Sequence, residues 1–140
     1  MSDFLLWLLA EIVLSPCTAS HPLPLLYVTN RNEALPGGDT ITVYSPYHGM
    51  SPADASSLDS ESAHAVTGQD NTSKASFRYL DSIATGLQHL RSIALGGPDS
   101  RYLIAGGVHG RRAKIFERNG TSLREVAKVD IEKPACFVWL

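Results

Sequence analysis

Arg31 stands just past an apolar run, in the stretch Leu25-Leu26-Tyr27-Val28-Thr29-Asn30-Arg31-Asn32. A guanidinium there has a chemical use. Its planar fork holds a carboxylate through two parallel hydrogen bonds and stays charged at any working pH. It also has a plainer reading, as a solvated loop residue or a partner for Glu33 or Asp39, both near in sequence. Spacing alone leaves both open. A second group lies in Gln88-His89-Leu90-Arg91, ahead of another apolar run. Arg91 is placed to face a ligand or to bridge neighbouring units. The His89 imidazole titrates near neutrality and can move a proton, or it is a packed or surface side chain. His109, in Gly107-Val108-His109-Gly110, reads as a loop residue, and Asn30 reads as a turn-shaping one.

Other chemistries lack their signatures. No Gly-x-Ser-x-Gly elbow occurs, which argues against a serine hydrolase of that type. The His, Asp and Cys residues show no metal-ligand spacing, so no metal site and no cofactor is expected. Gly106-Gly107 reads as a tight turn or a close backbone approach, because no strand-to-helix context supports a phosphate loop. Cys17 and Cys136 lie far apart in sequence and are expected as buried free thiols rather than a disulfide. The 12 Lys and Arg against 14 Asp and Glu give a net charge of −2, and the basic residues form no block. Neither a nucleic acid nor a membrane surface is therefore expected as a partner.

The elements that must position these groups are strands. At 140 residues with 44% hydrophobic residues, the chain suits one modest domain. Short apolar runs alternate with turn clusters, an all-β pattern. Strands are expected at Glu11–Leu14, Leu25–Thr29, Thr40–Tyr44, Tyr79–Ala84, Ser92–Leu95, Tyr102–Ala105, Ala113–Glu117, Arg124–Asp130 and Phe137–Trp139. Residues 45–76, rich in Ser, Ala, Asp, Gly and Thr, read as a disordered surface insertion. Residues 1–10 form an apolar leader, with "FLLWLL" its helical candidate. The run Phe4–Leu14 has no positive flank, is interrupted by Glu11 and falls short of the ~20 residues a membrane span needs. A cytoplasmic protein is expected over a secreted one.

Two units repeat. The first reads "EIVLSP", "LLYVTNRN", "DTITVYS" and, after the insertion, "YLDSIA". The second reads "SIALGGPDS", "RYLIAGGV", "RAKIFERNG" and "REVAKVDI". Without the insertion the period approaches the ~40 to 50 residues of propeller blades. Four antiparallel strands per unit, repeated, imply two blades of a β-propeller, from residue 11 to 140. A ring closes with about four to eight blades. The chain is therefore expected to be a fragment of a longer protein, or to self-associate through its exposed blade flanks.

"AEIVLSP", "LLYVTNRN", "GDTITVYS", "TGLQHLRSIALGGPDSRYLIAGGVHG" and "AKIFERNG" resemble the lactonase-type seven-bladed β-propellers. That family includes cycloisomerase-like 6-phosphogluconolactonases and fungal 3-carboxy-cis,cis-muconate lactonizing enzymes. The resemblance is closest to the fungal branch, through "GPDSRYLIAGG" and "FVWL", and spans roughly residues 10–44 and 79–140. It implies a C-terminal fragment with about five blades in front.

The resemblance also implies roles. The family carries an arginine after the Tyr-Val-[Ser/Thr]-Asn strand, and Arg31 matches it, so Arg31 is the expected catalytic and substrate-gripping residue. Arg91 is a weaker substrate contact, with His89 beside it. The implied activity is cofactor-free cyclisation of a carboxylated muconate to its lactone. The alternative is hydrolysis of a 6-phosphogluconolactone-type substrate. Whether this chain acts as an enzyme alone is left open, since the family's acid–base groups would lie on blades outside it. A third reading is a non-catalytic propeller remnant that binds a partner or itself.

Overall fold

The computed structural model describes residues 8–31, 36–46 and 77–140. Runs rich in β-branched and aromatic residues become strands, since such side chains suit a pleated, half-buried surface. Strands β1 (Leu8–Leu14), β2 (Leu26–Arg31), β3 (Thr40–Ser45) and β4 (Arg78–Ala84) form one sheet in that order. Strands β5 (Gln88–Gly96), β6 (Tyr102–His109), β7 (Arg112–Asn119) and β8 (Ser122–Asp130) form a second. Every neighbouring pair is antiparallel. These are two four-stranded propeller-type blades in an incomplete ring, as the repeat predicts. The one helical feature among the described residues is a 3-10 turn at Pro98–Ser100, and no described helix is long and apolar enough to cross a membrane.

Several expectations are corrected. Leu8 and Leu9 of the helical candidate belong to β1, as does Ala10; residues 1–7 of the leader, and the insertion after Pro46, lie outside the described residues. Phe137–Trp139 is not a strand. Instead this segment packs across the second blade, where Trp139 stacks on Tyr102 and Phe137 lies against Gly106. The two cysteines are free, but both are exposed, on the β1–β2 loop and this tail. Asn30 shapes no turn. It sits inside β2 and donates from Nδ2 to the hydroxyls of Thr40 (3.1 Å) and Thr42 (2.9 Å).

The repeat extends to irregularities invisible in the sequence. The register slips between Leu9 and Ile12 in β1 and between Leu90 and Ser92 in β5, the first strand of each blade. It slips again where β4 pairs with β3 and where β8 pairs with β7. A bulge puts two residues opposite one and increases the local twist, as a propeller blade requires.

The core lies between the blades. Tyr27, Ile41 and Val43 of the first meet Leu90, Ile93, Leu103 and Phe116 of the second. Three polar contacts fix the fit. Glu11 accepts the Ile93 N–H (2.7 Å). Asp39 anchors the short link from β4 to β5: its N–H donates to the Leu87 carbonyl (2.8 Å), its own carbonyl accepts from the Thr85 hydroxyl (2.7 Å), and its carboxylate accepts the Leu90 N–H (2.8 Å). Third, Arg118 of β7 donates from Nε to the Tyr27 hydroxyl (2.8 Å) and from Nη1 to the Ser100 carbonyl (2.7 Å).

The outer faces of the two blades differ. The second is covered by the tail, and Gly106 permits this because a Cβ there would sit 2.8 Å from the Phe137 ring. On the first, Ile12 is 60% and Tyr79 is 59% exposed, with Leu14 and Phe77 similarly open.

Candidate functional site

Antiparallel order brings the C-terminal ends of β2, β4 and β6 together with the N-terminal ends of β3, β5 and β7. Arg31, His89 and His109 all stand at this end, and Arg91 lies one step further into β5. Residues distant in sequence thus share one rim, with Arg31 and His109 the last residues of their strands and His89 the second of β5.

Arg31 is half-buried at the last position of β2, opposite Leu8. Its Nε is shielded from solvent and finds no hydrogen-bond partner among the described residues. It joins no ion pair there either. Glu33, one of its two nearby acids, lies outside the described residues. The other, Asp39, uses a carboxylate oxygen to hold the Leu90 N–H.

His89 is partly buried and has φ 56°, a left-handed backbone that costs a non-glycine residue roughly 1–2 kcal/mol. The turn tilts its ring onto that of His109, with centroids 4.7 Å apart and planes at 56°. The His89 pKa lies below the usual histidine value. Burial is the main cause, followed by the field of His109, then that of Arg31; Asp39 opposes them. Arg31 therefore lies close enough to be felt at His89. The imidazole is neutral at pH 7, a state in which one ring nitrogen can accept a proton.

Arg91 occupies the β5 bulge: Leu90 and Ser92 pair with the adjacent residues Gly107 and Gly106, so Arg91 is the extra residue. Its side chain is exposed while Leu90 and Ser92 are buried. It contributes a weak field at His89. The rim therefore holds Arg31, His89 and His109 close together, with Arg91 at its outer margin.

His109 was read as a plain loop residue, yet it ends β6 and contacts His89. The signal for it was present in the repeat, because "GGVHG" occupies in the second unit the place of "VTNRN" in the first. Arg118 gave no comparable signal. It is one charged residue among several in "AKIFERNG", but it is almost fully buried.

Among the described residues no group of three or more His, Cys, Asp or Glu is arranged to hold a metal ion. What the rim offers is a cationic fork with an idle donor beside two adjacent imidazoles, of which His89 titrates below the usual histidine value.

No protein-family model and no curated protein matches the chain. Solved structures do resemble it. A candidate 6-phosphogluconolactonase from Bacteroides fragilis superposes with a TM-score of 0.59 at 18% identity, over 91% of this chain and 27% of its own. A protein from Lactobacillus plantarum superposes with a TM-score of 0.57 at 15% identity, over 97% of this chain and 31% of its own. The chain thus spans less than a third of either, and the likeness is one of fold.

Proposed function

We propose that the Arg31 rim binds a small anionic lactone or its ring-opened acid, as part of a lactonase-type site completed by further blades. The observation that carries this is the shielded Arg31 Nε, without a partner among the described residues, at the strand end shared with His89 and His109. A carboxylate or phosphate oxygen is the acceptor such a donor lacks. Opening or closing a lactone develops negative charge on oxygen, and a positioned guanidinium stabilises it. In lactone hydrolysis His89, neutral at pH 7, is suited to accept the proton that the attacking water loses. Arg91, exposed beside it, adds long-range attraction for the anion.

Within this class the sequence resemblance favours cyclisation of a carboxylated muconate, and the Bacteroides fragilis neighbour favours a 6-phosphogluconolactone-type substrate. Both substrates present an anion to Arg31. Calorimetric titration with 6-phosphogluconate and with a carboxymuconate, followed by turnover assays on each lactone, separates them. A charged hydrogen bond contributes about 1.5–3 kcal/mol, so Arg31→Ala should weaken binding by about 10- to 150-fold. Unchanged affinity in that variant would remove the assignment.

A second reading rests on the open face of the first blade. Ile12, Leu14, Phe77 and Tyr79 expose apolar surface there, which suits a remnant that associates with a second copy or with further blades.

A further inference from the structure

The opposite end of the blades holds a cavity of about 630 Å³, bounded by the β1–β2 loop, the β5–β6 turn and the β7–β8 turn. Ser20, His21, Asp99, Arg101, Glu117 and Arg118 are among its lining residues. Two of them present buried polar atoms with no hydrogen-bond partner among the described residues: Arg118 Nη2 and His21 Nδ1.

Arg118 is 3% exposed. Its Nε and Nη1 are engaged by the Tyr27 hydroxyl and the Ser100 carbonyl, both neutral acceptors. The Tyr27 ring lies beneath the guanidinium, 5.4 Å from Cζ to centroid. Tyr27 does not act as a counter-ion, since burial outweighs the influence of Arg118 and keeps the phenol protonated above the usual range. The nearby carboxylates are committed elsewhere: Glu117 pairs with Arg101 and Arg124, and Asp99 accepts from the Ser20 hydroxyl. Three arginines and two acids line the cavity, leaving one positive charge in excess before His21 is counted. A guanidinium cannot discharge itself by losing a proton. A structural staple between blades accounts for two of its nitrogens and leaves the third idle.

His21 is held by its own loop. Thr18 and His21 exchange backbone hydrogen bonds, and the Thr18 hydroxyl also accepts the His21 N–H (3.1 Å). The Ser20–Asp99 hydrogen bond ties this loop to the second blade.

We propose that this cavity is a second ligand site, distinct from the Arg31 rim, which takes a small oxyanion (a carboxylate or a phosphate monoester) on Arg118 Nη2 and His21 Nδ1. The oxyanion supplies the acceptor and the charge that Arg118 lacks. His21 joins as a donor in its Nδ1–H form. The Arg101 and Arg124 side chains at the margin add attraction screened by salt.

The test follows the His21 ring signals by NMR while inorganic phosphate or acetate is added at constant ionic strength, with chloride as the balancing anion. A saturable shift with phosphate assigns a phosphate site, and one with acetate a carboxylate site. Either should weaken at least tenfold in Arg118→Lys and in His21→Ala, the latter read on the Asn119 and Ser122 amides. His21→Ala alters an exposed loop and keeps the test valid where Arg118→Lys fails to fold. Arg31→Ala should leave the His21 response intact, even where it abolishes binding at the other rim. The site is refuted by a non-saturable response to both anions, by an equal response to chloride, or by loss of the response in Arg31→Ala.

Discussion

Replacing Tyr27 by Phe isolates the contact that staples the blades through Arg118. Tyr27 is fully buried in β2, and its hydroxyl accepts from Arg118 Nε of β7 at 2.8 Å. Phenylalanine keeps the ring, so packing and the contact between ring and guanidinium survive. The change removes only the oxygen. A hydrogen bond to a charged group contributes about 1.5–3 kcal/mol, and here its loss strands a donor of a side chain that is only 3% exposed. The upper half of that range applies, a loss of about 2–3 kcal/mol. Against a total stability of about 5–15 kcal/mol this is large. Urea unfolding should show a lower midpoint with an unchanged slope. Amide signals of both sheets should disappear together, because the staple joins them. A loss below about 0.5 kcal/mol, or one confined to a single sheet, would refute the reasoning. The same residue sets an alkaline limit. Burial raises the Tyr27 pKa above 10, with the Arg118 hydrogen bond and charge opposing it. Below pH 10 the phenol is protonated in both states. Above it the unfolded chain ionises first, so stability falls as pH rises through and beyond 10. The Phe variant should fall less steeply over that interval.

His89 should titrate below the ordinary histidine value, so stability declines as pH drops below about 6.5, where only the unfolded imidazole readily gains a proton. Arg31→Ala and His109→Ala should each move its NMR titration upward, and a stationary curve would mean that neither faces it. Gly106→Ala should lift the tail off the second blade at a cost of about 1–3 kcal/mol, because its Cβ would overlap Phe137 and Pro134. Faster carboxypeptidase trimming reads this out, and unaltered trimming would contradict the packing. Leu14→Lys on the open face of the first blade should shift sedimentation toward the monomer if that face associates. A wild-type chain that is monomeric at high concentration would end the self-association reading.

Local chemistry made much of this protein legible. Alternating β-branched residues and Pro or Gly punctuation mark all eight strands, and two similar runs of four mark two blades. The sequence pattern ends this strand at Thr29 and leaves Arg31 in a loop, whereas β2 runs on through Asn30 to Arg31, because strand pairing and the Asn30 hydrogen bonds to Thr40 and Thr42 extend it past the apolar run. The tail was misread because "FVWL" has strand composition, whereas its fate depends on a surface that only Gly96 and Gly106 leave open. Asn30 was misread because a side chain that shapes turns in isolation also serves a ladder of threonine hydroxyls.

The sequence alone determined the fold class, because side-chain alternation and turn chemistry act over a few residues. Tertiary structure decided which charges meet. The His89–His109 contact arises from the pairing of β5 with β6, and the burial of Arg118 against Tyr27 depends on one blade closing over another. Such encounters join residues up to 91 positions apart. Register, bulges and the angle between sheets set them, and no local pattern of residues encodes those quantities.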